Sequence, residues 1–165
     1  MKKIIVSLLL FLPLCMTAQE QKIAYVNSEE IYFLMPEFEK FQKDYENEQK
    51  AYTERLEDMK REQDRITASI VAKGDSLTEN IRMIHLNQIQ GIQESMENLY
   101  SSAQQELSKK QQDFQTSQFE KIQKAVDSVC EDNGYAYVLD ARAITSIGNG
   151  AINATDKVKT KLGIK

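Results

Sequence analysis

The chain of 165 residues has no tryptophan, two prolines, six glycines, two cysteines and one histidine. Each shortage excludes something. A nucleophilic Cys/His pair would have to join Cys130 to His85, and these fall at opposite ends of what reads as a long rod. No Walker spacing and no G-x-G-x-x-G occurs, so no loop cradles a phosphate. The acidic pairs Glu29-Glu30 and Glu131-Asp132 stand at predicted helix ends, where they read as caps or solvated charge rather than metal ligands. Basic charge is short too: 21 Lys and Arg face 25 Asp and Glu, which leaves no basic stripe for nucleic acid. The expectation is a protein that is not an enzyme and carries no metal or cofactor.

The first residues carry the opposite bias. Met1-Lys2-Lys3 is basic, Ile4 to Leu14 is apolar, and Thr17-Ala18-Gln19 follows. This pattern reads as a secretory signal peptide spanning residues 1–18, with cleavage after Ala18. The apolar run is shorter than the roughly 20 residues of a spanning helix. Lipid anchoring at Cys15 is the alternative, although Leu14 stands where a small residue is expected. Export would place the protein in a compartment without ATP. Removing residues 1–18 takes away Lys2 and Lys3, leaving 19 basic against 25 acidic residues, a charge of −6, and Cys130 as the sole thiol. One thiol makes no internal disulfide, so packing or oligomerisation must hold the fold.

Lys22 to Asn27 reads as a short strand. Asn27 is a good N-cap, Glu30 is its capping-box partner, and Val26 can staple to Ile31. Met35-Pro36 then interrupts, with Pro36 starting a new helix. From Glu37 to Ala72 there is neither Gly nor Pro. Apolar residues there recur at 38, 41, 45, 52, 56, 59, 66 and 70, a stripe close to a heptad seam. Gly74 suits a helix C-cap, and Ser76 with Glu79 a second capping box. The next stripe includes Leu77, Ile81, Ile84, Ile92, Met96, Leu99, Ala103, Leu107, Phe114, Ile122, Val126 and Val129, and Gly134 ends it. Two long helices joined by a few residues make an antiparallel hairpin. Its seam is imperfect, because Glu48, Gln63, Gln88 and Lys110 occupy apolar positions. Residues 135–140 read as a second strand, Ile144 to Ile147 as a third, and a last helix follows a cap at Asn153 or Thr155. The fold class is therefore α+β: a small β-rich body from both chain ends, with a long helical hairpin inserted between its strands. The boundaries read as 19–36 for the first body segment, 37–133 for the arm with its tip near 73–76, and 134–165 for the rest of the body. A body this small, with open strand edges, calls for oligomerisation.

Two triplets, Asp75-Ser76-Leu77 and Asp127-Ser128-Val129, match an Asp-Ser-aliphatic signal for O-glycosylation in some bacteria; helix capping is the simpler reading of both. Asn153-Ala154-Thr155 is formally an N-glycosylation triplet, with capping by Thr155 again simpler.

The signal peptide, the K-I-A-Y-V-N strand at 22–27, the capped hairpin, the Y-V-L-D-A-R-A-I segment at 137–144 and the short last helix together resemble the Skp/OmpH family of periplasmic chaperones. That resemblance implies a homotrimer whose body comprises Ile23, Tyr25, Val26, Tyr137, Val138, Leu139 and Ile144. It implies helical arms around a cavity that holds unfolded outer-membrane β-barrel proteins without ATP. Well-known members are strongly basic, whereas this chain is acidic, so no strong lipid or lipopolysaccharide site is expected. The alternative function is a coiled-coil adaptor or structural protein of the envelope that binds one folded partner. Aromatic residues gather near the arm roots, and Phe33, Phe41, Tyr45, Tyr52, Phe114 and Phe119 are the candidates for client contact. The plainer reading is that these rings only pack the body and the hairpin.

Overall fold

The computed structural model describes residues 21–164; the signal-peptide reading of 1–18 and the alternative at Cys15 lie outside the described residues. The chain order is β1 (Ile23–Val26), α1 (Ser28–Leu34), α2 (Pro36–Lys73), a 3-10 turn (Gly74–Ser76), α3 (Glu79–Asn133), β2 (Tyr137–Asp140), a second 3-10 turn (Ala141–Ala143), β3 (Ile152–Asn153) and α4 (Thr155–Lys161). The architecture is a small three-stranded sheet built from both chain ends, with the long α2/α3 hairpin between its first and second strands.

The sheet order is β2-β1-β3, and both pairings are parallel. The first strand is central, with Tyr25 registered against Leu139 on one side and Asn153 on the other. Two further bonds extend the ladders: Ala136 N donates to Lys22 O at 2.8 Å, and Ala154 N to Tyr25 O at 2.8 Å. The third strand therefore differs from the expected one. Ile144–Ile147 stays irregular, because the Asp140–Arg142 turn redirects the chain after β2 and Ile144 N bonds back to Ala141 O. The free edge of β1 is instead taken by the residues just before α4.

The capping box at Asn27 forms only in part. Its side chain accepts from Glu30 N at 3.1 Å, as expected, but its backbone N–H donates to Thr155 Oγ1 at 3.0 Å. Thr155 is thus a bridge between the two chain ends and not the cap of α4; Asn153 Oδ1 accepts from Thr155 N instead, at 2.9 Å. Lys159 pairs with Glu30, and Lys161 with Asp132 at 2.9 Å. The acidic clusters therefore serve to anchor α4. Val26 and Ile31, the expected staple, lie in a core with Ala24, Met35, Ile122, Ala125, Val129, Tyr135, Ala154 and Val158. Of its large side chains only Ile31 and Val158 are wholly covered. Burying each contributes about 1.5–3 kcal/mol, so this core is a thin one for a body that must hold two long helices.

Met35 is extended (φ −65°, ψ 132°) and belongs to neither neighbouring helix, with Pro36 opening α2. A residue before proline is pushed out of the helical region by the ring, which explains the break. At the far end Gly74 adopts φ +44°, a conformation costly for residues with a Cβ. Thr78, not Ser76, is the N-cap of α3, and Arg82 Nη2 donates to Gly74 O at 3.1 Å. This arrangement sets the rotation of α3. Ile81 and Ile84, expected on the seam, are 43% and 51% exposed; Arg82 and His85 are half-buried in their place. The other polar seam positions find partners: Glu48 pairs across the hairpin with Lys110, and Gln88 bonds His85 at 3.1 Å. Gln63 is buried, accepting from Lys60 Nζ at 3.4 Å.

Candidate functional site

The break at Met35 turns α1 against the start of α2, so that consecutive aromatic residues of the two helices meet at the arm root. Tyr32 is the centre. It meets Phe33 and Phe38 edge-on, each at 5.3 Å between centroids, and lies nearly parallel to Phe119 at 5.5 Å. Phe33 and Phe38 are perpendicular at 5.1 Å. One turn further along α2, Phe41 stacks on Phe114 of α3, and Tyr45 sits 5.7 Å beyond. The edge-on contacts, at 5.1–5.3 Å, have the separation at which aromatic pairs attract through their quadrupoles. Burial pushes the Tyr32 phenol up from its ordinary pKa.

The rings do not close on one another. Tyr32, Phe33, Phe38, Phe41 and Tyr45 line a groove of about 360 Å³ together with Gln42, Gln111 and Gln115. None of the lining side chains is charged. Phe33 is 54% exposed at its mouth. A hollow where the start of α2 meets α3 and α4 is different in kind: its lining includes Glu37, Lys121, Lys124 and Lys161.

Of the six aromatic candidates, Phe33, Phe41 and Tyr45 line the groove, and Phe114 backs it through Phe41. Phe119 stands behind Tyr32 and faces a shallower hollow with Gln112, Gln115 and Thr116. Tyr52 lies away from the cluster. Its hydroxyl bonds Glu106 across the hairpin, and that bond raises the phenol pKa. Tyr32, Phe38 and the three glutamines were not among the candidates. Their signal was positional: Gln111 and Gln115 are four apart on a helix, hence on one face, and flank Phe114.

The residues expected in an oligomeric body divide by face. Paired residues of parallel strands share a face of the sheet. Ile23 and Tyr137 form one such pair, Tyr25 and Leu139 another. On this outer face Ile23, Tyr137 and Leu139 are 49%, 58% and 44% exposed. Val26 and Val138 face inward: Val26 is in the protomer's core and Val138 packs against it. Ile144 is half-buried beyond β2. Asp140, at the end of β2, is held at a pKa of about 2, chiefly by its side-chain bonds to Arg142, which also donates its backbone N–H at 2.9 Å. Among the described residues no helix is long and apolar enough to cross a membrane.

Comparison with known proteins converges on one group. The chain is 29% identical over 128 residues to the chaperone protein Skp of Yersinia enterocolitica, covering 78% of each chain. Its fold matches the crystal structure of an OmpH-like protein from Caulobacter crescentus with a TM-score of 0.75, at 14% identity and over 86% of this chain and 83% of the other. The sequence pattern of the OmpH-like outer membrane proteins matches residues 22–162, nearly the whole described region. The chain belongs to the outer membrane protein (OmpH-like) family.

Proposed function

We propose that the protein is a periplasmic, ATP-independent holdase, a homotrimer whose arms enclose unfolded outer-membrane β-barrel proteins and keep them from aggregating. The observation that carries this reading is the uncharged aromatic groove at the arm root, with Phe33 open to solvent beside it. Such a surface offers apolar contact without the paired titratable groups of a catalytic centre, so the activity is binding, not chemistry. Several weak contacts spread over the arms suit a protein that must later release its cargo, because only the surplus over ordering costs becomes affinity. The name of the Yersinia relative, a chaperone, agrees with it. Trimerisation is supported by the outer face of the sheet, where Ile23, Tyr137 and Leu139 are uncovered in the protomer. Monomers rarely expose contiguous apolar patches of this kind without a partner.

The experiment is dilution of several unrelated barrel proteins from urea into buffer with and without the protein. Suppressed aggregation near one trimer per client supports the holdase. Indifference to all of them, with tight binding to one folded envelope protein, would make it an adaptor.

A further inference from the structure

The root groove has a chemistry narrower than general stickiness. Five aromatic rings and three carboxamides line it, and no charge does. Resting on the holdase reading, we infer that the groove selects aromatic side chains carried on extended, uncharged stretches of the client, and reads the backbone beside them through Gln111 and Gln115.

Three observations lead there. First, Phe33 and Phe38 stand perpendicular at 5.1 Å, and Tyr32 meets both edge-on. A ring entering beside the half-exposed Phe33 therefore finds both a face and an edge to meet, while an aliphatic side chain gains only burial. The extra attraction between rings corresponds to a preference of about 2- to 10-fold per side chain. Second, each glutamine offers both a donor and an acceptor, the pattern of a peptide group. Gln42 donates to Glu46 at 3.1 Å, which leaves its carbonyl free to accept. Gln111 and Gln115, four apart, are separated by about 6 Å along the helix, close to the ~6.7 Å between alternate residues of a strand. A segment laid extended along α3 presents its peptide groups at nearly that interval. Third, the groove's volume of about 360 Å³ matches one or two large side chains.

Transmembrane barrel strands are uncharged on the lipid-facing side, alternate in polarity and carry aromatic girdles at both ends. An unfolded barrel thus repeats the very segment the groove would take, once or twice per strand. The preference would concentrate the arm roots on strand ends and leave the polar loops outside.

The chain has no tryptophan, so the emission of a tryptophan-bearing peptide reports the ligand alone. The probe is an uncharged ten-residue peptide of alternating apolar and polar residues with one central Trp. Competitors replace Trp by Phe or by Leu. The Phe competitor should displace the probe at a concentration about 2- to 10-fold lower than the Leu competitor. Phe33→Leu should bring that ratio close to one. Gln111→Leu with Gln115→Leu should weaken both competitors alike. Circular dichroism and the native mass of each variant establish that it is folded and assembled. Equal displacement by Phe and Leu, or no probe binding, overturns the inference while leaving aggregation suppression by the wild type to support the holdase. A ratio unmoved by Phe33→Leu, and equally by Phe41→Leu, overturns the location. Failure to suppress aggregation, with the peptide preference intact, would count against the holdase and not against the groove's selectivity.

Discussion

The ring of Phe41 lies flat on that of Phe114, with centroids 3.9 Å apart and planes 3° from parallel. This contact joins the two helices of the arm where they leave the body. Just beyond it the contacts across the seam are polar, Glu48 with Lys110 and Tyr52 with Glu106, before Ala103 and Ile66 are buried further along the arm. Half-exposed ion pairs contribute about 0–1 kcal/mol, less than a stacked aromatic pair embedded in its neighbours. The stacked pair is therefore a stronger tie than the polar contacts next to it. Phe41→Ala or Phe114→Ala should each cost about 1–3 kcal/mol, below the range for a fully buried Phe because both rings are half-buried. Urea unfolding of the two single variants and the double should show a coupling of about 0.5–1.5 kcal/mol. Additive losses would mean that the rings pack independently.

The alternation along β2 separates two substitutions that look alike in sequence. Val138 packs on the protomer's own core, whereas Leu139 points outward at 44% exposure. Leu139→Asp should abolish the proposed trimer while each protomer keeps its helical signal. Val138→Asp places a charge against the apolar interior and should cost about 3 kcal/mol or more, unfolding the body. Sedimentation with circular dichroism checks both. An unchanged trimer in Leu139→Asp would remove the sheet's outer face from the assembly.

Acid should loosen the body through Asp140. Its folded pKa is about 2 against an ordinary 3.8, mainly because Arg142 bonds the charged form. A depressed pKa stabilises the folded state at pH values above the unfolded pKa. That contribution is complete above about pH 4 and is lost as pH falls toward 2. In a urea-unfolding series from pH 5 to 2, Asp140→Asn should flatten this part of the acid limb and be less stable than wild type at pH 5. Identical acid limbs in the two proteins would show that the Asp140–Arg142 pair does not contribute.

Much of this was legible in the residues. The long run without Gly or Pro, the Met35-Pro36 break, Gly74 and Gly134 each carry a backbone rule that holds whatever surrounds them, and the hairpin follows from them. The third strand was misread, because Ile144–Ile147 has the composition of a strand but not the free edge. Which residues reach β1 depends on the Asp140–Arg142 turn, a bond between side chain and backbone that no periodicity records. The phase of α3 near the tip was missed for a similar reason: Arg82 holding Gly74 O rotates the helix away from Ile81 and Ile84. For the groove, the aromatic concentration was visible, but not its geometry. Tyr32 and Phe33 become neighbours of Phe38 only because Met35 is extended, and the three glutamines acquire a role only from the rings beside them.

The same groove sets how capture should respond to salt. Without residues 1–18 the chain carries −6, so it does not attract an acidic barrel protein over long range. The groove lining carries no charge, and apolar burial changes little with moderate salt, whereas exposed charges are screened beyond roughly 8–10 Å at physiological ionic strength. Aggregation suppression of a urea-diluted barrel protein should therefore stay nearly constant between low and moderate salt. Charge reversal at Lys109 and Lys110 should matter less than removal of rings. Among the rings, Phe33→Ser and Phe41→Ser should weaken holding more than Phe119→Ser, which faces the shallower hollow behind Tyr32. The measurement is light scattering of the diluted client across a salt series, with each variant's trimer mass checked first. A steep loss of holding with salt would mean that charge captures the client, and the root groove would then be packing alone.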